Sequence, residues 1–310
     1  MARGSKLSWQ TAVIAVVIGI SFLGFIIGLT QLRIAARDEG IRTQASLPIY
    51  DGETLRVETT TGRIECATWD GDQVAVEAVV RARALTDAQA RRYAEQVKVD
   101  VARTAEGVAA AALLPESLRN WNVVSVDFYV WVPAAWQGKV ELRTTEGPVT
   151  AVGLHGDAVV ETTTGPITIR SHTGSLAIRT VNGAIDVDGA EAVLTAYTDN
   201  GSIDVRDSVL LGQGSARTLN GSVRIRAGLA EAAKFHVDTS AGNVTLFLDS
   251  ADVALDLASG NGRVRLHGDA VAAVERPDQF VGRIGRGGSE LRARSGNGSI
   301  DVYILDGATL

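Results

Sequence analysis

The sequence predicts an all-β protein: a single-stranded β-helix, or β-solenoid, of 18–21-residue coils with a small α/β amino-terminal cap and one amino-terminal transmembrane helix. Three observations carry this. A unit of the form V-x-T-x-x-G-x-I-x-V recurs nine times, the residues after its glycine alternate apolar and polar, and one run of 22 residues near the start has no charge.

Composition sets the frame. The 310 residues include 33 Gly and 6 Pro, with 45% hydrophobic and 5% aromatic residues, which excludes a disordered tail protein and points to layers of small branched side chains. The single cysteine, Cys66, excludes a disulfide framework or a cysteine-bound zinc, and the four histidines form no H-E-x-x-H. The sequence thus implies no metal and no cofactor. Net charge is −6, with residues 1–42 net basic and the remainder carrying −9, so phosphate backbones are repelled and nucleic-acid binding is disfavoured.

The elements follow in order. Residues 1–10 are a short tail, and Thr11 to Leu32 are long enough to cross a bilayer as a helix, with no small-x-small cleavage site after them. Arginines flank both sides of this span, and the short tail is placed in the cytoplasm with the large domain outside. Ala15 and Gly19, and Gly24 and Gly28, repeat at four residues, a spacing that lets a second helix approach closely. Residues 33–49 are a linker.

The repeat glycines fall at 62, 147, 165, 183, 201, 221, 242, 262 and 298. Three residues before each stands Thr or Ser, two after it Ile or Val, and four after it another apolar residue. Alternation with period two buries one face of a strand. A five-residue strand cannot bury that face alone, but identical strands about 4.8 Å apart superimpose their side chains into columns. The chain is therefore expected to wind with Ile and Val columns inside, a Thr/Ser ladder on the turn backbone, and Asn-Gly corners at positive φ. Gly156 and Gly174 mark half-coil corners, and Cys66 falls in an inward column.

Two stretches break the repeat. Residues 50–140 are read as the first coil and capping region, with a short helix at 87–98 capped by Asp87, followed by the alternating strand Val124 to Val132. Trp121, Tyr129, Trp131 and Trp136 concentrate there, either buried beneath the cap or forming a partner-facing surface. Residues 141–305 are the solenoid, with an excursion at 267–292 that returns to a last coil, and 306–310 are a tail. Arg283 and Arg286 lie in that Gly-rich excursion without the lysine and hydroxyl pair of a phosphate loop.

The outward acids are the candidates for chemistry. Asp186 and Asp204 would stack on neighbouring coils, near enough to repel or share a cation, and a carboxylate pair can serve glycoside hydrolysis, but Arg170, Arg206 and Arg226 in the next column favour a salt-bridge ladder. No coil has the Gly and Asp spacing of calcium-binding nonapeptides. His155 and His267, from the twice-occurring hexapeptide Leu-His-Gly-Asp-Ala-Val, are read as turn residues.

An anchor, a Trp-Asp-Gly-Asp segment at 69–72, a strand ending in Val132-Pro133 and serial T-x-N-G-x-I-x-V coils together resemble the bacterial family of membrane-anchored β-strand-repeat proteins labelled adhesins. The likeness covers residues 50–305 and implies a non-enzymatic envelope protein. The leading expectation is a single-pass inner-membrane protein whose extracytoplasmic solenoid is a structural or accessory subunit, docked on another integral-membrane protein or complex. The alternative is a cell-envelope adhesin or sensor for glycan or peptidoglycan. A polymerising scaffold like the bactofilins and a polysaccharide-active enzyme rank below both, and self-association through the open end stays open.

Overall fold

The computed structural model describes residues 41–84, 86–115, 124–249 and 252–305. The expected span at 11–32, with Ala15, Gly19, Gly24 and Gly28, lies outside them, as do Trp121 and the tail 306–310. Among the described residues, no helix is long and apolar enough to cross a membrane.

The described chain is nearly all strand. It begins with β1 (Ile41–Pro48), β2 (Thr54–Thr61), β3 (Ile64–Trp69), β4 (Gln73–Ala82), the helix α1 (Asp87–Glu95), β5 (Lys98–Arg103), β6 (Gly107–Leu113) and β7 (Val124–Pro133). Long and short strands then alternate: β8 (Gly138–Glu146), β9 (Val149–Val152), β10 (His155–Thr164), β11 (Ile167–Arg170), β12 (Thr173–Asn182) and β13 (Ile185–Asp188). The pattern continues through β14 (Glu191–Asn200), β15 (Ile203–Leu210), β16 (Gln213–Asn220), β17 (Val223–Leu229), β18 (Lys234–Ala241) and β19 (Val244–Leu248). It closes with β20 (Val253–Ser259), β21 (Val264–His267), β22 (Val271–Arg276), β23 (Gln279–Ile284), β24 (Ser289–Asn297) and β25 (Ile300–Ile304).

Each long strand pairs in parallel with the long strand one repeat away, and each short strand does the same. Val160 lies opposite Ile178 and Leu142, and Ile185 opposite Ile203 and Ile167. The sequence repeat is thus the pairing register. It places Ile64, Val149, Ile167, Ile185, Ile203, Val223, Val244 and Ile300 in one inward column, all 0% exposed. Each such side chain contributes about 1.5–3 kcal/mol by leaving water. Cys66 is buried in the adjoining column, and burial pushes its thiol up to about 12.

The hydroxyl ladder forms as expected. Thr162 Oγ1 donates to Gly147 O at 3.3 Å, Thr180 to Gly165 O at 3.2 Å, Thr198 to Gly183 O at 3.0 Å and Thr218 to Gly201 O at 2.9 Å. The same contact explains the glycines: a Cβ on Gly183 would stand 1.9 Å from Gly165 O, and one on Gly201 2.0 Å from Gly183 O. The expected reason for Asn-Gly is corrected here, because Gly183, Gly201 and Gly221 do not take positive φ. Close approach of neighbouring backbones excludes any side chain there. The asparagines have their own role, with Asn200 Nδ2 donating to Asn182 Oδ1 and Asn220 Nδ2 to Asn200 Oδ1, both at 2.9 Å. Such amide ladders need identical residues in register.

The spatial order departs from chain order at both ends. The ninth copy, β24 and β25, lies between the seventh and the eighth, since β24 pairs with β18 and β20 and β25 with β19 and β21. The hydroxyl ladder follows this spatial order, as Ser295 Oγ donates to Gly242 O at 2.9 Å and Ser259 Oγ to Gly298 O at 2.7 Å. The expected excursion is a hairpin, β22–β23, whose second strand runs antiparallel along the outer side of β20. One ion pair is specific to the inserted slot, Lys234 Nζ lying 3.5 Å from Glu290 where β20 carries Ala254; Asp256 Oδ2, 2.6 Å from Arg294 and 3.0 Å from Arg292, and Asp301, 3.2 Å from Arg265, then tie the last two copies to each other.

At the other end, the expected capping region contains one further parallel layer. β6 pairs with β2 and β7 with β3, and antiparallel strands lie outside them, β5 on β6 and β4 then β1 beyond β7. The helix is shorter than expected and is capped by Thr86 rather than Asp87, its Oγ1 accepting from Gln89 N at 3.3 Å. Ala94 of α1 is buried in the core, and Tyr93 packs against it.

Candidate functional site

A parallel stack exposes its outward side chains as columns, so any site is a run of side chains on successive strands rather than a pocket walled by loops. The most organised column stands four residues before each corner glycine: Glu58, Arg143, Glu161, Arg179, Tyr197, Arg217, Asp238 and Arg294 lie side by side in register. Opposite charges alternate along much of it. Arg143 lies 2.8 Å from Glu161 and 3.5 Å from Glu58, and Arg217 lies 2.9 Å from Asp238. Arg179 is held over the Tyr197 ring, 4.7 Å from its centroid, and Tyr197 donates its hydroxyl to Asp199, which raises the phenol's pKa. Around Tyr197, Arg217, Leu219, Asp238 and Arg294 the surface hollows into a groove of about 350 Å³.

Sequence reasoning sought the ladder elsewhere. Asp186 and Asp204 do stack in register, but among the described residues no ion pair ties them, or Asp188, to Arg170, Arg206 or Arg226. Arg226 lies 3.7 Å from Asp207 instead, and Asp204 Oδ1 is buried without a hydrogen-bond partner. The ladder that was missed was readable at the same period, one residue before the repeat's Thr or Ser.

The strongest charge cluster joins the first repeat to the second. Glu141, 5% exposed, faces Lys139 at 2.7 Å, Arg143 at 2.6 Å and Arg56 at 3.0 Å. Hydrogen bonding from Lys139 above all, then from Arg143 and Arg56, outweighs burial and holds its carboxyl down at about 2. His172 is a buried polar group in the apolar stack. Its Nε2 meets Ser175 O at 3.2 Å, its Nδ1 has no partner, and burial lowers its pKa.

The aromatics of the capping region, for which burial and a partner-facing surface were both open, divide. Trp136 is 6% exposed, and its indole donates to Tyr50 O at 2.8 Å, so it belongs to the core rather than to a partner surface. Tyr129 and Trp131 are half-buried on β7, beside Glu65 and Glu77, and Ala67 and Ala75, respectively. A ring stack that sequence reasoning missed runs up the opposite end: Phe247 and Tyr303 have centroids 4.9 Å apart, and Tyr303 and His267 4.4 Å. His155, by contrast, meets Thr173 Oγ1 at 2.6 Å, so the two copies of the hexapeptide occupy different environments. Arg286 of the excursion is bound to Asp252 at 3.1 Å. Among the described residues, no group of three or more His, Cys, Asp or Glu side chains gathers to hold a metal.

No family model matches the chain, and no curated protein does. Several solved bacterial structures are similar to it in outline. A putative adhesin from Parabacteroides distasonis ATCC 8503 is 11% identical, with 85% of this chain and 98% of that one covered at a TM-score of 0.41. A putative adhesin from Parabacteroides merdae ATCC 43184 is 6% identical, with 86% and 96% covered, at a TM-score of 0.41. A putative lipid binding protein from Parabacteroides distasonis ATCC 8503 is 10% identical, with 87% and 98% covered, at a TM-score of 0.32.

Proposed function

We propose that the chain is a non-catalytic, single-pass membrane protein whose β-solenoid stands on the extracytoplasmic side as a structural or accessory subunit of an integral-membrane complex. The observation that carries this reading is the use made of the outward polar side chains. Glu58, Arg143, Glu161, Arg217 and Asp238 are consumed in contacts between successive strands, which stiffen the stack. A rigid rod with a regular register suits display and docking. The uncharged run at 11–32, with its small residues at four-residue spacing, supplies the membrane partner surface.

The test is co-purification in mild detergent followed by native gel migration. The wild-type chain is expected to migrate with a larger complex, and Gly24→Leu with Gly28→Leu to release it. A strictly monomeric wild type, or release that is identical with and without the substitutions, would contradict the proposal. A second reading, an envelope adhesin or sensor for glycan, is supported by the groove beside Tyr197, where an aromatic ring lies among arginines. It expects retention on cell-wall material that Tyr197→Ala weakens at least threefold, and no retention by wild type would count against it.

A further inference from the structure

We propose that β21 is a docking edge for an extended, acidic segment of a partner protein, in which apolar and acidic residues alternate. The site is the outer end of the stack. β21 pairs with β25 on one side, and among the described residues no strand pairs with its other side. Ile300 N donates to Arg263 O at 2.9 Å, so Arg263, Arg265 and His267 turn their backbone groups toward β25, and Val264 and Leu266 turn theirs outward. The outward direction is confirmed at Val264, whose N–H donates to Pro277 O at 2.9 Å. Beyond that bond, the carbonyl of Val264 and both backbone groups of Leu266 face an open groove of about 490 Å³, lined by Val264, Leu266, Ala270, Ala272 and Phe280.

Three features define the occupant. The inward side chains Val264 and Leu266 are only half-buried, where their counterparts Ile300 and Val302 are 0% exposed, so the incoming strand must bring apolar residues to that side. The outward side chains of this strand are Arg263, Arg265 and His267, with Arg276 on the groove's far rim. Glu275, Asp269 and Asp301 match these arginines in number, but Asp301 is spent on Arg265 and, among the described residues, Arg263 makes no ion pair, so the strand's own outward side keeps an unpaired guanidinium. Acidic residues on the incoming strand's outer side therefore meet complementary charge. Finally, the ring stack Phe247–Tyr303–His267 ends at His267, which leaves one face for an aromatic side chain on the next strand. β25 itself, Ile300-Asp301-Val302-Tyr303, already meets these demands on the inner side, so it gives the pattern of the segment expected on the outer side. This is strand addition, with backbone pairing for affinity and alternate side chains for selectivity. The inference stands apart from the proposed topology, because the edge belongs to the folded domain on whichever side of a membrane it lies.

The test uses the purified full-length chain and a fluorescent peptide, Ser-Ile-Asp-Val-Tyr-Ile-Leu, read by anisotropy. Saturable binding is expected, weakened about threefold to fivefold by Arg263→Glu or by Lys in place of Asp in the peptide. Arg263→Glu, on an exposed side chain, should bind the Lys peptide better than wild type does, a gain that misfolding would not produce. N-methylation of one alternate set of peptide residues should abolish binding, and of the other set spare it. The proposal is overturned by absence of saturable binding, or by equal binding of the Asp and Lys peptides to wild type. It is likewise overturned by peptide binding that appears only after residues 306–310 are deleted, or by concentration-dependent dimerisation of the free chain that Arg263→Glu abolishes, outcomes that assign the edge to the chain's own tail or to a second copy.

Discussion

The two ends of the stack are finished by different means. At the amino-terminal end both faces are closed: β5 runs antiparallel outside β6, and β4 and β1 run antiparallel outside β7. At the carboxyl-terminal end one face is closed by the β22–β23 hairpin outside β20, and the other stops at β21. Side-chain burial records the difference. Ile64 and Cys66 of the first repeat are 0% and 1% exposed, whereas the equivalent Val264 and Leu266 of the last repeat in space are only half-buried. Parallel strands propagate a register indefinitely, so an antiparallel partner is what stops the stack, and it must be supplied face by face.

The comparison can be broken or sharpened by substitution, beginning with the interior both ends enclose. Gly201→Ala places a Cβ 2.0 Å from Gly183 O and disturbs the carbonyl that accepts from Thr198. A loss of about 3 kcal/mol or more is expected in denaturant unfolding. A loss under about 1 kcal/mol would mean that the strands can separate there.

Leu246→Ala and Leu266→Ala test the ends directly, since both occupy the same inward column and only the first is fully buried. The first is expected to cost about 2–5 kcal/mol and the second less than half as much. Equal costs would show that the carboxyl-terminal end is closed after all.

Acid should act most strongly on the amino-terminal junction. Because Glu141 is held at about 2 against an ordinary 4.5, its contribution is complete above 4.5 and disappears as pH falls toward about 2. Glu141→Gln should therefore lower stability at neutral pH and flatten the acid limb of a thermal melting profile. A parallel offset at all pH values would show that the three cations do not hold the carboxylate.

His172 gives a smaller effect in a different window. Its folded pKa lies below the ordinary 6.5, so the neutral form carries full stability above 6.5, and stability falls as pH drops below that value. His172→Leu, which copies the buried Leu154 one repeat earlier, should remove that slope in melting temperature and leave the Glu141 limb in place.

Much of the middle was legible in the sequence because its determinants recur at the repeat period. The inward Ile and Val, the hydroxyl before each glycine and the glycine itself are each demanded by the residue one repeat away, so one alignment of the copies reveals all three. The order of the last two copies was not legible. Ser295 to Val302 and Ser259 to Leu266 meet the same inward requirements, and the charge that separates them, Glu290 against Lys234 where β20 carries Ala254, means nothing until the register is known. Asn-Gly misled because the pair usually signals a hairpin turn, while here the asparagines stack on one another and the glycines make room. The Arg143, Glu161 and Arg217 column was readable at the same period but stands before each glycine, on the long strands, while Asp186 and Asp204 stand after it on the short ones. For Trp136 the sequence left burial and a partner-facing surface both open, and its 6% exposure with the bond from its indole to Tyr50 O decides for burial.

Amide hydrogen exchange along β21 tests the open edge most directly, because the strand carries its own control. Arg265 N–H points to β25 and Leu266 N–H to the groove. The Leu266 amide is expected to exchange about a hundredfold or more faster than that of Arg265. Equal, slow exchange at both positions would show that β21 is already covered and would contradict the account.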